Sequence, residues 1–517
     1  MNKLKPIDNI TGEKLIRKYL CDNKNENLTF YQINSFINVL GEQLKYFGGN
    51  HNLYAQQLKK SAEQFQKDSL YSIRSFIIQS FISLSKYCTK SAYDSLLRGQ
   101  IETTKTQSGN YNEDDALKIA MNYLTDKKII SFNELLDKTS IVFMNEDIFS
   151  MSIITTRDKK TDEYQNLYDL YNTGVFKKAN LQNLIDYSNL NNEGFLKEIK
   201  KVLDLKQSNE ELLKIDPNYV FTTDNFIKLL LITLKIRAKV PVIMMGETGC
   251  GKTSLIRIIS KLKGNKMITM NIHAGISNKD IINFIYENNL IENDDNDNKN
   301  KIWVFLDEIN TCNSMGLISE MMCKGSIEGK KLKENVTFIA ACNPYRRYEK
   351  KIEQIGLVSD KQKVRSLVYS VNPLPHSLLN FVFDFGNLKK EDEEKYIRSM
   401  LQQPITILKH KFPSLQNDTF INFSINCVIT AQNFIRDNTF SSSVSLREVR
   451  RYVILFEWFI LFLNDNQDLF KEILEEYKLS IENCSVLLSI YICYFIRITD
   501  KKLRKEFSEL KISNINL

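Results

Sequence analysis

Residues 242–253 constrain this chain more than any other stretch. Val242-Ile243-Met244-Met245 is apolar at every position, the pattern of a parallel strand covered by helices on both faces. It follows Lys239-Val240-Pro241, where proline ends any helix. Directly after it comes Gly246-Glu247-Thr248-Gly249-Cys250-Gly251-Lys252-Thr253, which fits G-x-x-x-x-G-K-[ST] without a mismatch. From Thr253 and Ser254 to Leu262 the spacing is helical. A phosphate-binding loop needs this strand–turn–helix context. Glycines let backbone N–H groups curl around a β-phosphate, Lys252 neutralises β/γ oxygens, and the Thr253 hydroxyl coordinates magnesium. Residues Gly246 to Ser254 are therefore expected to hold ATP, with Mg2+ at Thr253.

A second motif follows at Ile302-Trp303-Val304-Phe305-Leu306-Asp307-Glu308, an apolar strand ending in two acids. Carboxylates at the C-terminal tip of a buried strand lie where α/β sheets bind ligands. Asp307 is expected to support magnesium through water, and Glu308 to be the base that orients an attacking water. The third motif, Phe338-Ile339-Ala340-Ala341-Cys342-Asn343-Pro344, is a strand that delivers an amide at its end, with proline stopping the ladder. Asn343 can hydrogen-bond the attacking water or a γ-phosphate oxygen. The fourth is Ser445-Leu446-Arg447-Glu448-Val449-Arg450-Arg451, at the start of a C-terminal helix. An arginine on a helical lid can sense a γ-phosphate, and Arg447 is the candidate; a solvated basic helix face is the alternative.

These motifs sit in an ordered series of elements. Upstream, Ile33, Phe36, Ile37, Leu40, Leu44 and Phe47, and then Ile73, Phe76, Ile77 and Phe81, recur at steps of three or four, so both segments predict amphipathic helices. Ile141–Phe143 and Met151–Thr155 are β-branched runs that predict a small hairpin. Thr222 is an expected helix cap, followed by helical spacing through Leu234. Met267–Ile272, Ile302–Leu306 and Val336–Cys342 are further strand candidates, alternating with helical segments, and residues 292–301 predict a polar loop. Beyond about Asp384 only helices are expected. The fold class is α/β: a P-loop core of parallel sheet with helices on both faces, a C-terminal helical lid and a mostly helical N-terminal region. The expected domains are residues 1–215, 216–385 and 386–517.

Composition narrows the function classes. With 517 residues, 43% of them hydrophobic, the chain can build more than one core. Its longest apolar stretches, 453–463 and 486–498, are shorter than the roughly 20 residues that span a bilayer; they predict buried helices. The N-terminal ten residues carry no apolar signal core. Nine cysteines and four histidines show no zinc-ligand spacing, so reduced thiols in the cytoplasm and no structural metal are expected. The formal charge of +8 is dispersed, with short clusters at Lys159-Lys160 and 346–351, and does not predict specific nucleic-acid binding.

Strand, P-loop, Asp-Glu strand, Asn strand and helical lid, in that order, resemble an AAA+ ATPase module. The strings at 246–253 (GETGCGKT), 271–275 (NIHAG), 305–312 (FLDEINTC), 340–346 (AACNPYR), 373–379 (PLPHSLL) and 445–448 (SLRE) narrow the resemblance to the mysterin family of giant AAA+ and RING-finger E3 ubiquitin ligases, specifically to its nucleotide-competent AAA+ region. Strings at 32–40 (QINSFINVL), 152–155 (SIIT) and 221–226 (FTTDNF) extend it over nearly the whole chain. The resemblance implies several AAA+ units in one very long polypeptide, with ubiquitin transfer carried by a zinc-bearing region. Here there is one P-loop and no zinc pattern, so a fragment, a split product or a shortened relative is expected, and ligase activity is not assigned to it. The implied partners are neighbouring AAA+ modules of the same or another chain, and the ubiquitin pathway. Residues 374–381 lack the arginine that many AAA+ proteins place just after such a segment, leaving Arg346, Arg347 and Arg365 as candidates for a trans arginine. The function expected is an ATPase module that converts ATP turnover into movement; the alternative is a nucleotide-gated scaffold that hydrolyses ATP little.

Overall fold

The structure is a computed structural model, and it describes residues 8–21, 28–49, 67–89, 140–144, 151–154, 187, 190, 192–208, 211, 219–292, 301–344, 371–386, 390–439, 443–477, 479–512 and 515–516. The loop expected at 292–301 and the arginines Arg346, Arg347 and Arg365 lie largely or wholly outside the described residues, as do Lys159-Lys160. Two compact units emerge. One comprises Met1–Ile215, Thr222–Gly246 and Lys252–Gly386; the other comprises Asp216–Phe221, Glu247–Gly251 and Asn387–Leu517.

The first unit begins with helices α1 (Asn9–Leu20), α2 (Phe30–Gly49) and α3 (Lys67–Thr89), then an antiparallel pair, β1 (Ser140–Phe143) and β2 (Met151–Ile154). The expected helices and hairpin are thus present. Gln43 of α2 is fully buried and brackets the backbone of Phe143, donating from Nε2 to its carbonyl at 2.9 Å and accepting its N–H at 2.8 Å. A buried amide satisfied on both sides fixes the hairpin to the helix. Helix α4 (Asn192–Leu203) leads to α5 (Thr223–Arg237), which Thr222 caps as expected by accepting the Asn225 N–H at 3.3 Å. Inside α5, Lys228 pairs with Asp224 at 2.5 Å and lies 4.1 Å from the centre of the Phe385 ring, so the buried charge has both an ionic and an aromatic partner.

From here strands and helices alternate: β3 (Val242–Met245), α6 (Lys252–Lys263), β4 (Lys266–Asn271), α7 (Asn278–Glu287), β5 (Ile302–Asp307), α8 (Met315–Lys324), the short hairpin β6 (Ser326–Ile327) and β7 (Lys330–Lys331), β8 (Val336–Cys342), α9 (His376–Leu379) and β9 (Val382–Asp384). Five of these strands form one parallel sheet in the order β4-β5-β8-β3-β9. All four residues of β3 are buried, as are Trp303, Val304, Phe305 and Leu306 of β5; the fully apolar strands are those inside the sheet. Parallel pairing brings the C-terminal ends of β3, β5 and β8 to one edge. The P-loop, Asp307 and Asn343 therefore leave the sheet on the same side.

The second unit is helical: α10 (Lys390–Leu408), α11 (Asp418–Asn438), α12 (Leu446–Asp465), α13 (Gln467–Glu476), α14 (Ile481–Cys493) and α15 (Lys501–Ser508). Ile397, Leu401, Val428, Tyr452, Phe456 and Ile490 lie in its buried core. Strands do recur past Asp384: β10 (Lys511–Ile512) pairs antiparallel with β11 (Ile515–Asn516). The helices expected to be buried at 453–463 and 486–498 are buried along one face only. Ile454 is 58% exposed and Trp458 53%, and Tyr491, Ile492 and Ile496 are exposed as well. A helix at the surface of a bundle needs only one buried stripe, and here the opposite stripe is also apolar. Among the described residues no helix is long and apolar enough to cross a membrane.

Candidate functional site

The Gly246 N–H donates to the Cys342 carbonyl at 3.2 Å, carrying the β3–β8 ladder one residue into the P-loop. Cys342 is fully buried there, and burial pushes its thiol up to about 12 against the opposing pull of the Lys252 charge. The turn closes with the Cys250 N–H donating to the Glu247 carbonyl at 3.4 Å. Gly249 and Gly251 have φ of +81° and +98°, conformations that strain any residue with a Cβ. At Gly251 an added Cβ would meet nothing within 4 Å, so the loop leaves open space above its last glycine. Glu247, Thr248, Gly249 and Cys250 are partly exposed, and Ser254 is exposed on the first turn of α6.

Lys252 starts α6 and is 7% exposed; its Nζ donates to the Gly246 carbonyl at 2.6 Å, folding across the base of the loop. One residue on, Thr253 Oγ1 donates to Asp307 Oδ2 at 2.9 Å. The hydroxyl and the carboxylate expected to serve magnesium are thus in direct contact, between the start of α6 and the end of β5. Both are hard oxygen donors, the kind magnesium takes, so these residues fit that ion.

Glu308 follows Asp307 in a left-handed conformation, φ 58° and ψ 39°. That conformation costs a non-glycine residue about 1–2 kcal/mol, and it is held on both sides. The Glu308 N–H donates to Asp307 Oδ1 at 3.1 Å, and its carbonyl accepts the Thr311 N–H at 3.0 Å and the Thr311 hydroxyl at 2.8 Å. The chain thereby turns sharply at the end of β5 and leaves Glu308 partly exposed.

Asn343 lies one residue past β8 and is 4% exposed. Its backbone is held by Asn310, a residue whose importance the motif pattern does not reveal. Asn310 Nδ2 donates to the Asn343 carbonyl at 2.8 Å, and Asn310 Oδ1 accepts the Asn343 N–H at 3.0 Å. Only the string Glu308-Ile309-Asn310, two residues past the acidic pair, could have flagged it.

In the helical unit, Ser445 caps α12 in a capping box: it accepts the Arg447 N–H at 3.2 Å, and Glu448 Oε2 accepts the Ser445 N–H at 2.8 Å. Glu448 in turn pairs with Arg497 at 3.2 Å and Arg451 at 3.3 Å. The Ser445 carbonyl accepts from Gln432 Nε2 at 3.2 Å, next to Arg436, whose guanidinium grips Glu393 at 2.6 and 2.8 Å. This pair holds the Arg436 charge firmly, raising its pKa. The same Ser445 lies against Gly249 of the P-loop turn, which belongs to this unit. Arg447 is exposed on the first turn of α12.

Two RuvB point-mutant structures from Thermotoga maritima align with 56% of this chain and with 72% and 71% of theirs, each at 14% identity and TM-score 0.29. The sequence comparisons reach further. E3 ubiquitin-protein ligase rnf213-beta of Danio rerio is 28% identical over 509 residues, covering 89% of this chain and 10% of that protein. E3 ubiquitin-protein ligase RNF213 is 31% identical in Homo sapiens, over 64% of this chain and 7% of that protein, and 32% identical in Mus musculus, over 56% and 6%. The chain therefore spans a tenth or less of the curated relatives it matches. Residues 219–346, from the approach to α5 through β8 and Asn343, match the family model described as the RNF213 AAA domain. Residues 219–346 thus carry an AAA domain of the RNF213 kind, and this match together with these relatives supports membership of the mysterin (RNF213) family.

Proposed function

We propose that this chain binds ATP with Mg2+ at Gly246–Ser254 and hydrolyses it, using the turnover to move its helical lid. The observation that carries the reading is the contact of Thr253 Oγ1 with Asp307 Oδ2 at 2.9 Å, which joins two motifs far apart in sequence into one donor set. In this reading Lys252 neutralises the β/γ-phosphates, leaving the Gly246 carbonyl to do so. Thr253 and Asp307 hold magnesium, which supplies charge neutralisation on the phosphates. Glu308 orients the attacking water and takes its proton, and Asn343 hydrogen-bonds the water or a γ-oxygen. Arg447 acts as the lid's γ-phosphate sensor. Equilibrium ATP binding by Lys252→Ala tests the assignment: the variant loses at least about tenfold in affinity while its fold is kept, and unchanged affinity rejects the site.

The partners proposed are neighbouring AAA+ modules, in the same longer polypeptide or in another chain, working in the cytoplasm. The names of the relatives support a link to the ubiquitin pathway. Ubiquitin transfer itself is not assigned to these residues.

A further inference from the structure

Asn310 is 0% exposed and lies in the single 3-10 turn, Ile309–Thr311, that follows Glu308. Its carboxamide addresses one residue, accepting the N–H of Asn343 and donating to its carbonyl. Asn343 stands just beyond β8, where strand pairing has stopped. The Asn310 side chain therefore imitates a peptide group of a neighbouring strand and adds one rung to the ladder. The Asn310 backbone is held as well: its carbonyl accepts the Asn372 N–H at 2.7 Å, and Asn372 Nδ2 donates to the Cys312 carbonyl and to Asn313 Oδ1, both at 2.9 Å. Glu308 is bound into the same turn through Thr311. The residue carrying the carboxylate and the residue carrying the carboxamide are thus parts of one small bonded body.

Resting on the ATPase reading above, we infer that Asn310 is a positioning residue for hydrolysis, fixing Asn343 relative to Glu308 so that both meet the same attacking water. A group that only satisfies buried backbone would affect stability and every ligand alike. A positioning group affects the rate constant alone, and only while the Asn343 side chain is present.

The test compares ATP hydrolysis and equilibrium affinities for ATP and ADP in the full chain and in Asn310→Asp, Asn310→Ser, Asn343→Ala and Asn310→Asp/Asn343→Ala. Aspartate keeps the shape and the acceptor and removes the donor. The expected result is a kcat lower by about tenfold to a hundredfold in Asn310→Asp, with KM and both affinities within about twofold of wild type. The double variant is then no slower than Asn343→Ala. A wild-type rate in Asn310→Asp, a parallel loss of ATP and ADP affinity, or losses that multiply in the double variant overturns the inference. Failure of both Asn310 variants to fold overturns it too, since the residue then serves the fold. A wild-type chain that binds ATP without hydrolysing it rejects the ATPase reading itself.

Discussion

The side chain of Ser445, N-cap of α12, stands so close to Gly249 of the P-loop that a Cβ added to this glycine would lie 2.6 Å from Ser445 Cβ. Gly249 also has φ +81°. Its lack of a side chain thus serves both the turn and the seating of the lid helix. Gly249→Ala is expected to weaken ATP binding by about tenfold or more, through backbone strain of about 1–2 kcal/mol plus the collision. Adding Ser445→Gly removes the collision and leaves the strain, so titration calorimetry should show partial recovery in the double variant. No recovery would mean that the contact with the lid does not matter to binding.

The Arg436–Glu393 pair supports the same helix start. The two side chains are 21% and 10% exposed, and Arg436 also donates to the Val444 carbonyl at 3.3 Å. Arg436→Ala leaves a largely buried carboxylate and a buried carbonyl without this donor. Urea unfolding is expected to show a loss of about 2–3 kcal/mol, below the range for fully buried pairs because water still reaches the guanidinium. A loss under about 0.5 kcal/mol would class the pair as an ordinary surface bridge.

Lys263, at the end of α6, is held down to about 8 by burial first and then by Arg237 and Lys301. Its unfolded value is about 10.4, so between pH 8 and 10.4 the unfolded chain binds more protons than the native one. Stability therefore rises with pH across that window, and the charged lysine weighs against the fold below it. Lys263→Met is expected to stabilise the protein by about 1–3 kcal/mol at pH 7, with the gain shrinking as pH climbs from 8 to 10.4. Thermal unfolding at pH 7 and pH 10 measures this; a gain that grows with pH contradicts it.

Thr253→Ala removes the hydroxyl that touches Asp307. It is expected to raise the magnesium concentration needed for half-maximal ATP binding by about tenfold, with magnesium-free nucleotide binding nearly unchanged. Equal losses with and without magnesium would place Thr253 outside the metal site.

Local order made the core legible. Val242–Met245 and Val336–Cys342 form strands with the limits expected; the first is apolar throughout because it is covered on both faces, and the second is buried over its last four residues. Thr222 caps its helix because a threonine oxygen can reach an N–H three residues on. The left-handed Glu308 and the Asn310 bracket were not legible: a glutamate carries no mark of a left-handed turn, and the bracket depends on β5 and β8 lying side by side, a relation between distant segments. The exposed faces of α12 and α14 also escaped notice. Tyr491 and Trp458 look like core residues in a hydropathy reading, and only the packed bundle shows which stripe faces inward.

Single-turnover ATP hydrolysis by the wild-type chain and by Glu308→Gln is the most direct test. The amide keeps the size of Glu308 and removes its basicity. The account predicts ATP affinity within about twofold of wild type and hydrolysis slower by at least about a hundredfold, so that ATP stays trapped on the protein. Equal hydrolysis rates in the two proteins would contradict it and leave a nucleotide-gated scaffold in its place.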